Sequence, residues 1–307
     1  MNQHKSPLFT GCATALITPF QNGALDKAAF LRLLCRQLEE GSDALVVAGT
    51  TGESPTLTDG EKKWLFTAAV REAGTANRRI PVIAGTGSNN TARACELSRL
   101  AESCGCDGLL VVTPYYNKAS EAGLLGHYEA VAAATSLPVI LYHVPSRTGC
   151  KLTPEVCQRL ADHPRIAGLK DATGDLSFTA RVAALCGDSL PIYAGNDDQI
   201  LPILSLGGKG VISVVSNILP REVSRLCRLW REGQTDEARA LQLSLIPLCS
   251  ALFCEVNPIP VKAAMELLGY CKGEVRLPLA VADQGVRAKV AGALGGVNAE
   301  CTMNNPQ

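Results

Sequence analysis

Residues 81–114 read PVIAGTGSNNTARACELSRLAESCGCDGLLVVTP. Two short apolar runs, PVIAG and GLLVV, flank a segment with apolar residues at helical spacing and a glycine at its end. Neither run alternates apolar with polar side chains, so each reads as a strand buried on both faces. A strand, a helix and a strand in that order form a unit whose two strands lie parallel, with the helix packed outside them.

The unit repeats outward in both directions. Strand-like runs occur at CATALITPF (12–20), ALVVAGT (44–50), PVIAGTG (81–87), GLLVVTP (108–114), PVILYHVP (138–145), IAGLKDA (166–172), PIYAGND (191–197) and GVISVVSN (210–217). Amphipathic segments such as DKAAFLRLLCRQLEEG (26–41) and GEKKWLFTAAVREAG (60–74) lie between them. An open doubly wound sheet also accommodates eight strands, but eight βα units over about 230 residues match the size of a closed barrel. After Gln234 the strand signal stops and three helical segments follow, at 236–254, 258–269 and 278–295. The chain therefore reads as an α/β protein, a (β/α)8 TIM barrel over residues 1–234 with a C-terminal helical appendage over residues 235–307. No low-complexity linker separates the two, so the appendage is expected to pack on the barrel.

Composition narrows the function. The 307 residues are 47% apolar, ample for a large core, and 29 basic residues balance 29 acidic ones. Such a chain has no field to draw in nucleic acid or an anionic membrane, which leaves a small molecule as the expected partner. The start, MNQHKSPLFTG, lacks an apolar signal region, and no run approaches the roughly 20 apolar residues of a membrane helix; a cytoplasmic location is expected. Thirteen cysteines are an odd number, scattered, with no C-x-x-C pair. They read as reduced thiols on apolar helix faces, as in RLLCRQL and ARACELS, rather than as a disulfide or zinc framework.

Barrel enzymes carry their chemistry where the strands end. There the sequence places GTTGESPTL, GTGSNNT, TPYYNK, YHVPSRTG, KDATGD and AGNDDQ. Lys170, at the end of the sixth strand, has two readings: an exposed residue that terminates the strand, or an amine walled by barrel side chains. In the second case burial lowers its pKa, and the neutral amine adds to a ketone as a Schiff base. Tyr142 on the neighbouring strand is either a core phenol bonded to backbone or a proton carrier, and Thr51 with a tyrosine of PYYN extends a hydroxyl chain toward solvent. The GTTGE stretch offers backbone N–H groups and hydroxyls to a small carboxylate, although such segments are often only turns. Arg147 has the planar fork that binds carboxylates, or is a solvated loop residue. No phosphate-binding loop, serine nucleophile elbow or H-E-x-x-H pattern occurs, and the four histidines are dispersed, so neither a cofactor nor a metal is implied.

The motifs GTTGES, GTGSNNT, VTPYYNK, LYHVPSRTG, GLKDATGD, GGKGVISV and NPIPVK stand in the order and at the spacing of the dihydrodipicolinate synthase family, and nearly the whole chain resembles that family. The resemblance implies a Schiff-base lyase of lysine and diaminopimelate biosynthesis that binds pyruvate on Lys170 and condenses it with L-aspartate 4-semialdehyde. It implies Tyr142 as the proton-transferring phenol, with Thr51 and Tyr116 completing the relay and Tyr116 donated across a dimer interface. Thr50 and Thr51 are implied to hold the pyruvate carboxylate, Arg147 to meet the carboxylate of the semialdehyde, and Gly195 and Ile212 to line the pyruvate pocket. A homotetramer built as a dimer of dimers is implied as well. Related barrels that cleave N-acetylneuraminate or sugar acids are the alternative, and VPSRTG speaks against them, since sialic acid lyases generally lack that arginine. A silent barrel kept for binding is disfavoured because every expected catalytic position is filled.

One departure concerns regulation. Family members inhibited by lysine hold it near a serine, an asparagine and a tyrosine, matched here by Ser54, Asn89 and Tyr115. Histidines and a glutamate complete that site, and here those positions carry Asp59, Lys62 and Arg93. A ligand bearing ammonium groups loses a carboxylate partner and meets new positive charge, so lysine is expected to inhibit weakly or not at all.

Overall fold

Burial with a period of two sorts the strand residues into two sets. Ala13, Val46, Ile83, Leu110, Ile140 and Ile212 meet one another in one cluster, while Cys12, Leu45, Val82, Leu109, Leu141 and Val211 belong to a larger one shared with the helices. A flat sheet has no way to bury both faces without helices on each side; a sheet closed on itself turns one face inward. The computed structural model describes residues 4–303; residues 1–3 and 304–307, which end the two assigned regions, lie outside the described residues. It contains eight parallel strands: β1 (Gly11–Ala15), β2 (Ala44–Val47), β3 (Val82–Gly85), β4 (Gly108–Val112), β5 (Val139–His143), β6 (Ile166–Asp171), β7 (Ile192–Ala194) and β8 (Gly210–Ser213). Each pairs with its sequence neighbour, and β8 returns to pair with β1, which closes the barrel. At that seam a Cβ on Gly210 would collide with the carbonyl oxygen of Gly11, so the residue type is dictated by the closure.

Eight helices cover the barrel: α1 (Lys27–Glu39), α2 (Asp59–Thr75), α3 (Thr91–Ser103), α4 (Glu121–Ala133), α5 (Pro154–Ala161), α6 (Leu176–Cys186), α7 (Ile200–Ser205) and α8 (Pro220–Arg231). Six begin at side chains that accept from their first turn, namely Asp26, Thr58, Asn90, Ser120, Thr153 and Asp175, and each such cap stabilises its helix by about 1 kcal/mol. Toward the amino end the interior is filled by Phe9 and Tyr193, whose rings stack with centroids 4.3 Å apart, and the Tyr193 hydroxyl donates to the Phe9 carbonyl at 2.9 Å. Among the described residues no helix is long and apolar enough to cross a membrane.

The chain continues into α9 (Thr235–Leu252), α10 (Ile259–Leu267) and α11 (Gln284–Met303). The last begins later than the expected residue 278, because Asp283 supplies the start by accepting from the Val286 N–H at 2.8 Å. Cys35, read from RLLCRQL as facing the core, is instead exposed: it follows the buried Leu33 and Leu34 and lies past the edge of that stripe. The C-terminal helices do pack on the barrel, and they reach the ends of its strands. Gln242 of α9 donates to the Asp197 carbonyl at 3.0 Å, and Lys262 of α10 donates to Glu53 Oε1 at 2.6 Å and to the Thr18 carbonyl at 2.8 Å.

Glu53 and Lys262 have side chains 1% and 0% exposed, so each charge depends on the other. Removing one partner of such a pair leaves a buried charge uncompensated, at a typical cost of about 3–5 kcal/mol. Lys262→Met should therefore lose stability on that scale in a denaturant titration, and the double variant Glu53→Gln, Lys262→Met should recover much of it. Equal losses in the single and double variants would show that the pair is not what ties α10 to the barrel.

Candidate active site

Lys170 sits on β6 between Leu169 and Asp171. With Leu169 in the outer layer, alternation turns Lys170 inward. The register pairs it with Tyr142 of β5 on one side and Tyr193 of β7 on the other. Its Nζ lies 4.4 Å from the centroid of the Tyr142 ring, and the residue is only 6% exposed. Burial pulls its pKa down to about 8; the carboxylate of Asp197 works against that shift, and the Arg147 guanidinium adds to it. At neutral pH roughly a tenth of such an amine is unprotonated, against well under a thousandth for an ordinary lysine. Of the two readings of Lys170, the structure has the walled amine.

Tyr142 is buried, and burial raises the pKa of its phenol, with Arg147 and the Thr50 hydroxyl pulling the other way. A phenol so placed keeps its proton near neutrality and can donate it. Beyond β2, Ala48 and Glu53 take left-handed backbone conformations and fold GTTGES into a tight turn. Glu53, anchored by Lys262 and by the Arg276 N–H at 2.9 Å, pins that turn from below. Thr51 is buried, and its hydroxyl accepts from Asn257 Nδ2 at 2.9 Å. Arg147 projects from a single helical turn, Pro145–Thr148, and donates from Nη2 to the Asn257 carbonyl at 3.1 Å. Asn257 thus ties the threonine turn to the arginine turn.

These groups surround a cavity of about 530 Å3 whose lining includes Thr50, Thr51, Tyr142, Arg147, Lys170 and Gly195. A Cβ at Gly195 would stand 2.6 Å from that of Ala172, so this wall admits only glycine. Ile212 lies deeper, fully buried in the interior cluster, and does not line the cavity. Tyr116 is not brought to the site within one chain: it is 89% exposed, with a left-handed backbone and its N–H donating to the Thr148 carbonyl at 3.1 Å. Ser54 and Tyr115 line a second cavity beside the first, whereas Asn89 is half-buried outside its lining, and its carbonyl accepts from Asn117.

Two participants were not singled out by reading the sequence. Asp197 is buried behind Lys170, where it accepts from the Ser213 hydroxyl and from the N–H groups of Val214 and Val215 at 2.9 and 3.2 Å. Its only sequence signal was the acidic pair in AGNDDQ at a strand end. Asn257 belongs to the quoted motif NPIPVK, but its role depends on contacts 206 and 110 residues away in the chain. The electrostatics give a direct expectation. Labelling of Lys170 by an amine-reactive reagent, followed by peptide mass analysis, should rise with pH through a midpoint near 8. Asp197→Asn removes the charge that favours the ammonium, so the midpoint should move to lower pH; a midpoint at the ordinary lysine value, or an upward move, would contradict this electrostatic reading.

Comparison with known proteins agrees with this geometry. The model of the dihydrodipicolinate synthetase family matches residues 8–295. A 4-hydroxy-tetrahydrodipicolinate synthase from Citrifermentans bemidjiense is 50% identical over 273 residues, covering 89% of this chain and 93% of the relative. The crystal structure of dihydrodipicolinate synthase from Thermotoga maritima superposes with a TM-score of 0.92 at 40% identity, over 95% of this chain and 99% of that one. Another, from Cyanidioschyzon merolae and with lysine bound, superposes with a TM-score of 0.92 at 38% identity over 95% and 99% of the two chains. The chain belongs to the dihydrodipicolinate synthetase family.

Proposed function

We propose that the chain is a Schiff-base lyase that condenses pyruvate with L-aspartate 4-semialdehyde, acting as a 4-hydroxy-tetrahydrodipicolinate synthase in lysine and diaminopimelate biosynthesis. The observation that carries this reading is the buried, amine-prone Lys170 lying over the Tyr142 ring at the edge of a cavity. The Lys170 amine attacks the keto carbon of pyruvate, and loss of water leaves an imine. Electron withdrawal by the imine lets the pyruvate methyl group lose a proton, and the resulting enamine carbon attacks the aldehyde. The amino group of the semialdehyde then displaces Lys170 as the ring closes, which frees the enzyme amine.

Tyr142 shuttles the protons, with Thr51 beside it in the relay. The Thr50–Thr51 turn receives the pyruvate carboxylate, and Arg147, close to the lip, receives that of the semialdehyde. Gly195 leaves room at the pocket wall, and Ile212 stands in the interior cluster of the barrel. The exposed Tyr116, presented outward from a backbone anchored at Thr148, enters the relay of a second copy. The working form is a dimer of dimers, in the cytoplasm, without a bound cofactor or metal. Lysine does not regulate it effectively, since Arg93 and Lys62 stand where an inhibitor's ammonium groups would go.

Steady-state rates test the assignment. Turnover of pyruvate with aspartate semialdehyde should far exceed cleavage of N-acetylneuraminate. Loss of a charged hydrogen bond in Arg147→Ala should raise the KM for the semialdehyde by roughly 10- to 100-fold and affect that for pyruvate far less. In the same assay, micromolar lysine should leave the rate unchanged. Comparable rates on both substrates would overturn the assignment, and inhibition at micromolar lysine would overturn its regulatory part.

A further inference from the structure

The cavity at the strand ends, of about 530 Å3, carries two cations in its lining, Lys170 and Arg147, against one carboxylate, Glu255. Pyruvate on Lys170 fills little of it. The condensation brings a four-carbon aldehyde against the pyruvate methyl carbon, so the space beyond that carbon is open, and its charge favours an anion. A keto acid that bears a second carboxylate directly on that carbon is smaller than the two substrates together, and it finds the same partners. The Thr50–Thr51 turn faces its first carboxylate and Arg147 its second. Val144, Ala172, Val214 and Val256 supply apolar wall to the same space, where a charged carboxylate is held less well than the neutral gas it can become.

We propose that this site also decarboxylates oxaloacetate, the keto acid whose second carboxylate lies β to the carbonyl. The Lys170 amine adds to the keto carbon, and loss of water leaves a protonated imine. The bond from the methylene carbon to the β-carboxylate then breaks. Carbon dioxide departs, the electron pair forms the carbon–carbon double bond of an enamine, and the imine nitrogen becomes neutral. Tyr142, whose ring centroid lies 4.4 Å from Lys170 Nζ, passes a proton to the enamine carbon. Water hydrolyses the resulting imine, which releases pyruvate and restores the amine. The balance is one oxaloacetate and one proton in, one pyruvate and one carbon dioxide out, with no net oxidation or reduction. The enamine is the one that the condensation uses, so decarboxylation rests on the same Lys170 imine as the proposed reaction but requires no aldehyde.

The test follows oxaloacetate loss and pyruvate formation with the assembled enzyme, in buffer treated with a chelator to suppress metal-catalysed decay. The enzyme should raise the rate saturably, at least tenfold above buffer. Lys170→Met should fall to the buffer rate, and so should wild type whose amine has first been capped with pyruvate and borohydride, which removes the amine without a substitution. Borohydride added during turnover should leave on Lys170 the adduct that pyruvate gives, lighter by carbon dioxide than an oxaloacetate adduct. Arg147→Ala should raise the KM for oxaloacetate by about tenfold or more. 2-Oxoglutarate, whose second carboxylate is one carbon too far to feed electrons into the imine, should lose no carbon dioxide. A rate equal to buffer or to the capped enzyme, an adduct that keeps both carboxylates, or an unchanged KM in Arg147→Ala would overturn the proposal. Pyruvate condensation without oxaloacetate turnover would remove this activity and leave the proposed reaction standing; oxaloacetate turnover without condensation would do the reverse.

Discussion

The desolvation of one ammonium is the constraint on which the site depends. Lys170 prefers water, and the barrel denies it water on every side but the carboxyl rim. Closure of β8 on β1, the Phe9–Tyr193 stack toward the amino end and the Tyr142 ring beside it are separate structural facts with the same electrostatic effect. Asp197 moderates the penalty. Without a carboxylate nearby, burial and Arg147 would act on the amine unopposed, and the folded state would carry a cost with no compensation.

The C-terminal helices complete the site rather than hang from it. Four contacts from these helices and the segment joining α9 to α10 land at strand ends: Lys262 on Glu53, Asn257 on Thr51 and Arg147, and Gln242 on the backbone at Asp197. The segment between α9 and α10 also contributes Phe253, Glu255, Val256 and Asn257 to the cavity lining. A barrel lacking these helices would leave the GTTGES turn without its anchor and Thr51 without its donor. Stability and geometry are coupled here, since the buried Glu53–Lys262 pair that joins the two parts also anchors the turn whose Thr50 and Thr51 line the cavity.

Most of the fold was legible because its signals are local. Uninterrupted Val, Ile and Ala runs followed by helical spacing and glycine state the βα order directly, and eight such units suit a closed barrel. Lys170, Tyr142, Thr50, Thr51 and Arg147 were legible as polar residues at strand ends, which a barrel gathers at one rim. Asp197 and Asn257 were not singled out, because a buried carboxylate and a bridging amide acquire meaning only from contacts distant in sequence. The later start of the last helix has a different cause: a capping carboxylate at Asp283 competes with an apolar run that looks helical by composition. Cys35 was misread for a related reason, since the residue adjoining an apolar stripe turns about 100° away from it on a helix.

The proposed reaction requires Lys170 to carry pyruvate as an imine. Borohydride reduction of the protein in the presence of pyruvate, followed by digestion and peptide mass analysis, tests it most directly. A stable pyruvate-derived adduct is expected on the peptide containing Lys170, with no adduct when either pyruvate or borohydride is omitted. An unmodified Lys170, or an adduct confined to another lysine, would contradict it.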